Sequence, residues 1–70
     1  MQIRILEATA NIPIGTTLEV STANLRPGGI IRHHMNGTDY EFEVVGVRAE
    51  GANRYRVWNS NVVVLIEVIG

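Results

Sequence analysis

Apolar and polar residues alternate with a period of two along most of this chain, which predicts short half-buried strands; no stretch holds a useful helical period. From Gln2 to Ala8, Ile3 and Ile5 share one face and Arg4 and Leu6 the other. From Thr16 to Ser21, Leu18 and Val20 point inward while Thr17, Glu19 and Ser21 point outward. Asn36-Gly37 is a strong signal for a two-residue turn with positive φ at both positions. Pairing outward from it sets Met35 against Thr38, His34 against Asp39, His33 against Tyr40, Arg32 against Glu41 and Ile31 against Phe42. One face of that hairpin then carries Ile31, His33, Tyr40 and Phe42, and the other the opposite-charge pairs, each contributing roughly 0.2–1 kcal/mol. Val44 and Val45 continue the strand to a bend at Gly46, and Glu50-Gly-Ala-Asn53 is a second hairpin loop. Arg54 to Trp58 sets Tyr55 and Val57 on one face and Arg54, Arg56 and Trp58 on the other.

The end of the chain breaks the pattern. Asn59-Ser60-Asn61 reads as a turn, and the run from Val62 to Ile69 is apolar on both faces, with only Glu67 interrupting the second. Leaving Val63, Leu65 and Ile69 in water forgoes roughly 1.5–3 kcal/mol each. A second copy of the chain, covering those residues as an oligomer interface, is the expected remedy. Thr9 to Gly15 is an irregular arm, because Pro13 lacks the amide a central strand needs. A short turn is expected around Thr22 to Leu25, followed by the loop Asn24-Leu-Arg-Pro-Gly-Gly29.

Five to six short strands in 70 residues predict a single all-β domain, residues 1–70, built as a strongly bent antiparallel sheet or partly open barrel. The order of elements (a strand, an arm with Pro and Gly, meander strands, a short turn and a closing strand) resembles the SH3-like barrels over nearly the whole chain. In its compactness the chain also resembles the small accessory proteins of bacteriophages. That resemblance implies a phage-encoded protein acting in the host cytoplasm, and a role such as sequestering a host defence signal.

Composition narrows the classes of function. Cysteine is absent, which removes disulfides, thiolate metal sites and thiol catalysis. There is no basic leader with an apolar core, and no apolar run of about 20 residues to span a bilayer. A cytoplasmic protein without membrane partners is therefore expected. A net charge of −1 argues against a general nucleic-acid coat. All six basic residues are arginine, whose planar fork suits bidentate contact with phosphate or carboxylate, although the coding bias of a GC-rich genome gives the same pattern.

No catalytic set emerges. His33 and His34 are adjacent on a strand, so their rings point to opposite faces and cannot share a metal within one chain. Glu41 and Glu43 share an exposed face, with Arg32 expected across from Glu41. A non-enzyme without cofactor or metal is expected. The candidate ligand-binding residues fall in two groups. Arg26, Gly28, Gly29, Arg32 and His33, with Tyr40 across the hairpin, combine cations, aromatic donors and glycines whose amides can form an anion nest. Arg54, Arg56 and Trp58 set arginine beside an aromatic, a combination that stacks a base and holds a phosphate. Against these stand plain structural roles: Pro-Gly-Gly as a turn, and Trp58 packed on a neighbour beneath the arginine stems. The expected function is a homo-oligomer that binds, without transforming, a small anionic nucleotide-like ligand. The alternatives are a protein–protein interaction module that inhibits a host protein or serves as a minor assembly component, and an oligonucleotide-binding barrel.

Overall fold

Positive φ at Asn36 (53°), Gly37 (78°) and Asn53 (59°) makes two hairpin turns, at the positions where Asn-Gly and the Glu50–Asn53 loop predict them. A computed structural model describes residues 1–10 and 12–70; Asn11, within the expected arm, and the Met35 side chain lie outside the description. The strands are β1 (Gln2–Ala8), β2 (Thr17–Glu19), β3 (Ile30–Met35), β4 (Thr38–Glu43), β5 (Gly46–Gly51), β6 (Arg54–Trp58) and β7 (Val63–Val68). A single 3₁₀ turn, Thr22–Leu25, occupies the expected place, with Ser21 and Asn24 capping it reciprocally.

The fold is all-β. Five strands form an antiparallel sheet in the order β2-β1-β7-β6-β5, and β3 and β4 form a separate hairpin. The hairpin has the register read from Asn36-Gly37 at every pair, from Met35 opposite Thr38 to Ile31 opposite Phe42. Seven strands replace the expected five to six because the run through Val44 and Val45 divides. The Val44 amide donates to Gly29 in front of β3, and the Val45 amide donates to Trp58 at the end of β6. The chain thus steps from hairpin to sheet between these two residues. Among the described residues no pairing joins β2 to β3, so the barrel is left open.

Alternation decides which side of the sheet is buried. Ile3, Ile5, Val57, Val64 and Ile66 lie at 1–5% exposure on the inner face, and Val20, Ile31 and Val44 complete the core. β7 runs between β1 and β6, so both of its edges are paired; its run of β-branched residues suits that central place. The turn before it works as its composition predicts, since the Asn59 side-chain oxygen accepts from the amides of Asn61 and Val62.

The second face of β7 is covered in part by the chain itself. Trp58 stands directly opposite Val63 and Arg56 opposite Leu65, with Glu7 on the other side of Leu65. Val63 and Leu65 are accordingly half-buried, and among the three residues assigned to an oligomer interface Ile69 alone is exposed, at 37%. An arginine stem and an indole ring shield apolar surface while keeping their polar ends in water. The burial argument for a second copy therefore rests on less surface than alternation alone implies. Among the described residues no helix is long and apolar enough to cross a membrane.

Candidate functional site

The hairpin lies over the inner face of the sheet without filling the space beneath it. Between the two is an apolar cleft of about 360 Å³. Its floor is the core-facing side of the sheet: Ile3 and Ile5 from β1, Val57 from β6, and Val64 and Ile66 from β7. Its roof is the hairpin face predicted from the register, Ile31 and His33 opposite Phe42 and Tyr40. Ala10, Ile12 and Pro13 of the arm close one side. Glu41 also borders it, with its carboxylate engaged by Arg32. Tyr40 is 50% exposed and His33 half-buried, so both rings meet solvent at the mouth.

The two faces of the hairpin do different things. On the outer face, Arg32 Nε donates to Glu41 Oε2 at 2.9 Å, and His34 Nδ1 stands 2.6 Å from Asp39 Oδ1. These exposed pairs match the sequence expectation and fix the hairpin's register; pairs of this kind contribute about 0.2–1 kcal/mol. On the inner face, neither His33 nor Tyr40 has a side-chain hydrogen-bond partner among the described residues.

The nine residues expected to bind a ligand are divided among three places. His33 and Tyr40 line the cleft, with Arg32 behind them on the outer face. Arg26, Gly28 and Gly29 sit in the loop before β3, where both glycine amides are already used: Gly28 donates to Val44 and Gly29 to Arg26, each at 2.8 Å. An open anion nest is therefore not formed there. Arg26 itself is exposed and has no acidic partner among the described residues. Arg54, Arg56 and Trp58 share the outer face of the sheet, as alternation predicts, but the cations are engaged. Arg54 pairs with Glu67 and Arg56 with Glu50, which also accepts from Arg48 at 3.0 Å. Trp58 covers Gly46, where a Cβ would collide with the indole ring. No group of three or more metal-ligating side chains is found among the described residues.

The pairing of Glu50 has a clear electrostatic consequence. The hydrogen bond from Arg56, then that from Arg48, holds its carboxyl below the ordinary glutamate range. A carboxylate whose folded pKa is depressed stabilises the native state above its unfolded pKa and loses that contribution as pH falls through the folded value. Melting midpoints of wild type and Glu50→Gln are therefore expected to differ at neutral pH and to converge in the acid range below the ordinary carboxylate value. A difference that persists unchanged at low pH would contradict this pairing.

The cleft's arm and floor were not visible as a site in the sequence, since apolar walls carry no chemical signature. The available signal was the hairpin register, which placed Ile31, His33, Tyr40 and Phe42 on one face. No family model, no curated protein and no solved structure matches this chain.

Proposed function

We propose that this protein is a non-enzymatic binding protein whose binding site is the apolar cleft between hairpin β3-β4 and the sheet. The observation that carries the reading is the cleft itself. At about 360 Å³ it falls within the roughly 300–1,000 Å³ of small-molecule sites, and its walls are apolar with a few polar groups at the mouth. Those polar groups favour holding a ligand over transforming one, because Glu41 is engaged by Arg32 and no acid, base and nucleophile converge among the described residues.

Titration with the neutral dye Nile red, followed by fluorescence, tests the reading. One saturable site is expected. Tyr40→Asp, a change at a half-exposed position that places a charge in the roof, should weaken it at least about tenfold, while Arg26→Ala leaves it unchanged. Absence of saturable binding, or equal binding by Tyr40→Asp, would overturn the assignment.

A second reading keeps the expected homo-oligomer that sequesters an anionic nucleotide-like ligand, the role implied by the phage-like layout. It draws on Arg26, exposed and without an acidic partner among the described residues. Binding of adenosine monophosphate that disappears in Arg26→Ala and survives in Tyr40→Asp would favour it over the cleft.

A further inference from the structure

The cleft has walls of two kinds. The floor is made of branched aliphatic side chains at 1–5% exposure, Ile3, Ile5, Val57, Val64 and Ile66, held by strands paired on both sides. The roof carries rings: His33 stands directly across the hairpin from Tyr40, and Phe42 follows two residues later on the same face. The chain has one phenylalanine and two tyrosines, and the phenylalanine and one of the tyrosines are here. Ring faces and edges pack best against another ring, through offset or edge-to-face contact, beyond what buried area alone provides.

Charge restricts the occupant further. No arginine lines the cleft, and the ionisable groups of its lining are Glu41, His33 and Tyr40. A buried charged ligand gains little there: the Glu41 carboxylate is already paired with Arg32 at 2.9 Å on the outer face, so a cation would have to compete for it, and an anion meets no arginine among the described lining residues. At the mouth, by contrast, the His33 ring and the Tyr40 hydroxyl have no hydrogen-bond partner among the described residues. They offer a donor and an acceptor to the edge of whatever lies beneath them.

We infer that the cleft takes a neutral, flat heteroaromatic or phenolic ring, stacked under Phe42 and Tyr40 with its polar edge turned toward His33 and the Tyr40 hydroxyl. This ligand class rests on the cleft being the binding site. On the outer surfaces the arginine forks of β6 and of the hairpin are engaged by acids, Arg54 by Glu67, Arg56 by Glu50 and Arg32 by Glu41.

The test compares indole with 1-octanol as probes, using amide and methyl chemical shifts of isotope-labelled full-length protein. Indole is expected to perturb Phe42, Tyr40 and His33 together with the methyls of Val57 and Val64, and to bind at least about fivefold more tightly than octanol. Phe42→Leu keeps an apolar roof and removes a ring. It should cost indole about fivefold while leaving octanol unchanged. His33→Leu should weaken indole and leave toluene, which has no polar edge, unchanged. If octanol binds as well as indole and Phe42→Leu affects neither, the ring assignment is wrong while the cleft stands as a binding site. If neither probe perturbs the cleft, both fall.

Discussion

Replacing Gly29 with alanine is expected to destabilise the protein by about 3 kcal/mol, the upper part of the range for forcing atoms into a packed site. A Cβ at this position would stand 2.5 Å from the carbonyl oxygens of both Ala23 and Asn24, and 2.8 Å from the Asn24 carbonyl carbon. These are backbone atoms, so no rotamer change relieves the collision. The 3₁₀ turn that carries them is itself tied down. Asn24 Oδ1 accepts from the Ser21 amide at 2.8 Å, and Asn24 Nδ2 donates to the Ile30 carbonyl at 2.9 Å. Alanine must therefore either detach the turn or displace Gly29 from Val44, whose amide donates to the Gly29 carbonyl at 2.8 Å. Gly28 is the internal control. Its φ is +91° and a Cβ there meets nothing within 4 Å, so Gly28→Ala carries only the conformational penalty, about 1–2 kcal/mol. Urea unfolding of the two variants should rank Gly29→Ala below Gly28→Ala. The reverse order would show that backbone crowding is not what requires glycine at position 29.

That pair of glycines also shows where sequence reasoning reached its limit. Pro27-Gly28-Gly29 was open to two readings, a turn or a close approach to a ligand, and both use the same property of glycine. A close approach does occur, but the neighbour is the chain's own 3₁₀ turn. Nothing local to the sequence distinguishes these, because the identity of the approaching atoms is fixed by tertiary packing.

Legibility followed range. The β3-β4 hairpin was readable pair by pair, since a two-residue turn fixes register and alternation then fixes the faces. The division of Arg54, Arg56 and Trp58 from Tyr55 and Val57 was readable for the same reason. What alternation does not contain is which strand lies alongside. Arg54 meets Glu67 because β6 and β7 pair with those residues opposite each other, and Arg56 meets Glu50 across the register shift between Ala49 and Gly51. These contacts turn a candidate phosphate grip into closed ion pairs. The pairing of β1 with β7, which joins the two ends of the chain, is likewise invisible to local pattern. The cleft is the product of all these long-range choices together, and of the failure of β2 and β3 to pair.

Ile66→Ala is expected to cost about 2–5 kcal/mol, the range for truncating a buried isoleucine to alanine. Ile66 is 1% exposed on the central strand β7, with Ile5 opposite on one side and Tyr55 on the other. A chain of this size sits at the lower end of the roughly 5–15 kcal/mol that holds domains together, so the variant should be largely unfolded at moderate urea where wild type is native. The informative partner is Ile69→Ala. Ile69 is 37% exposed and lies past the end of β7, so in a lone chain its truncation should cost less than about 1 kcal/mol. Denaturant midpoints of both variants, measured over a wide range of protein concentration, separate the two faces of the last strand. A large loss at Ile66 and a small, concentration-independent one at Ile69 means the inner face alone holds the fold. A comparable loss at Ile69 that grows with dilution would mean that a second copy covers the outer face, because only an interface buried by association is lost as the chains separate.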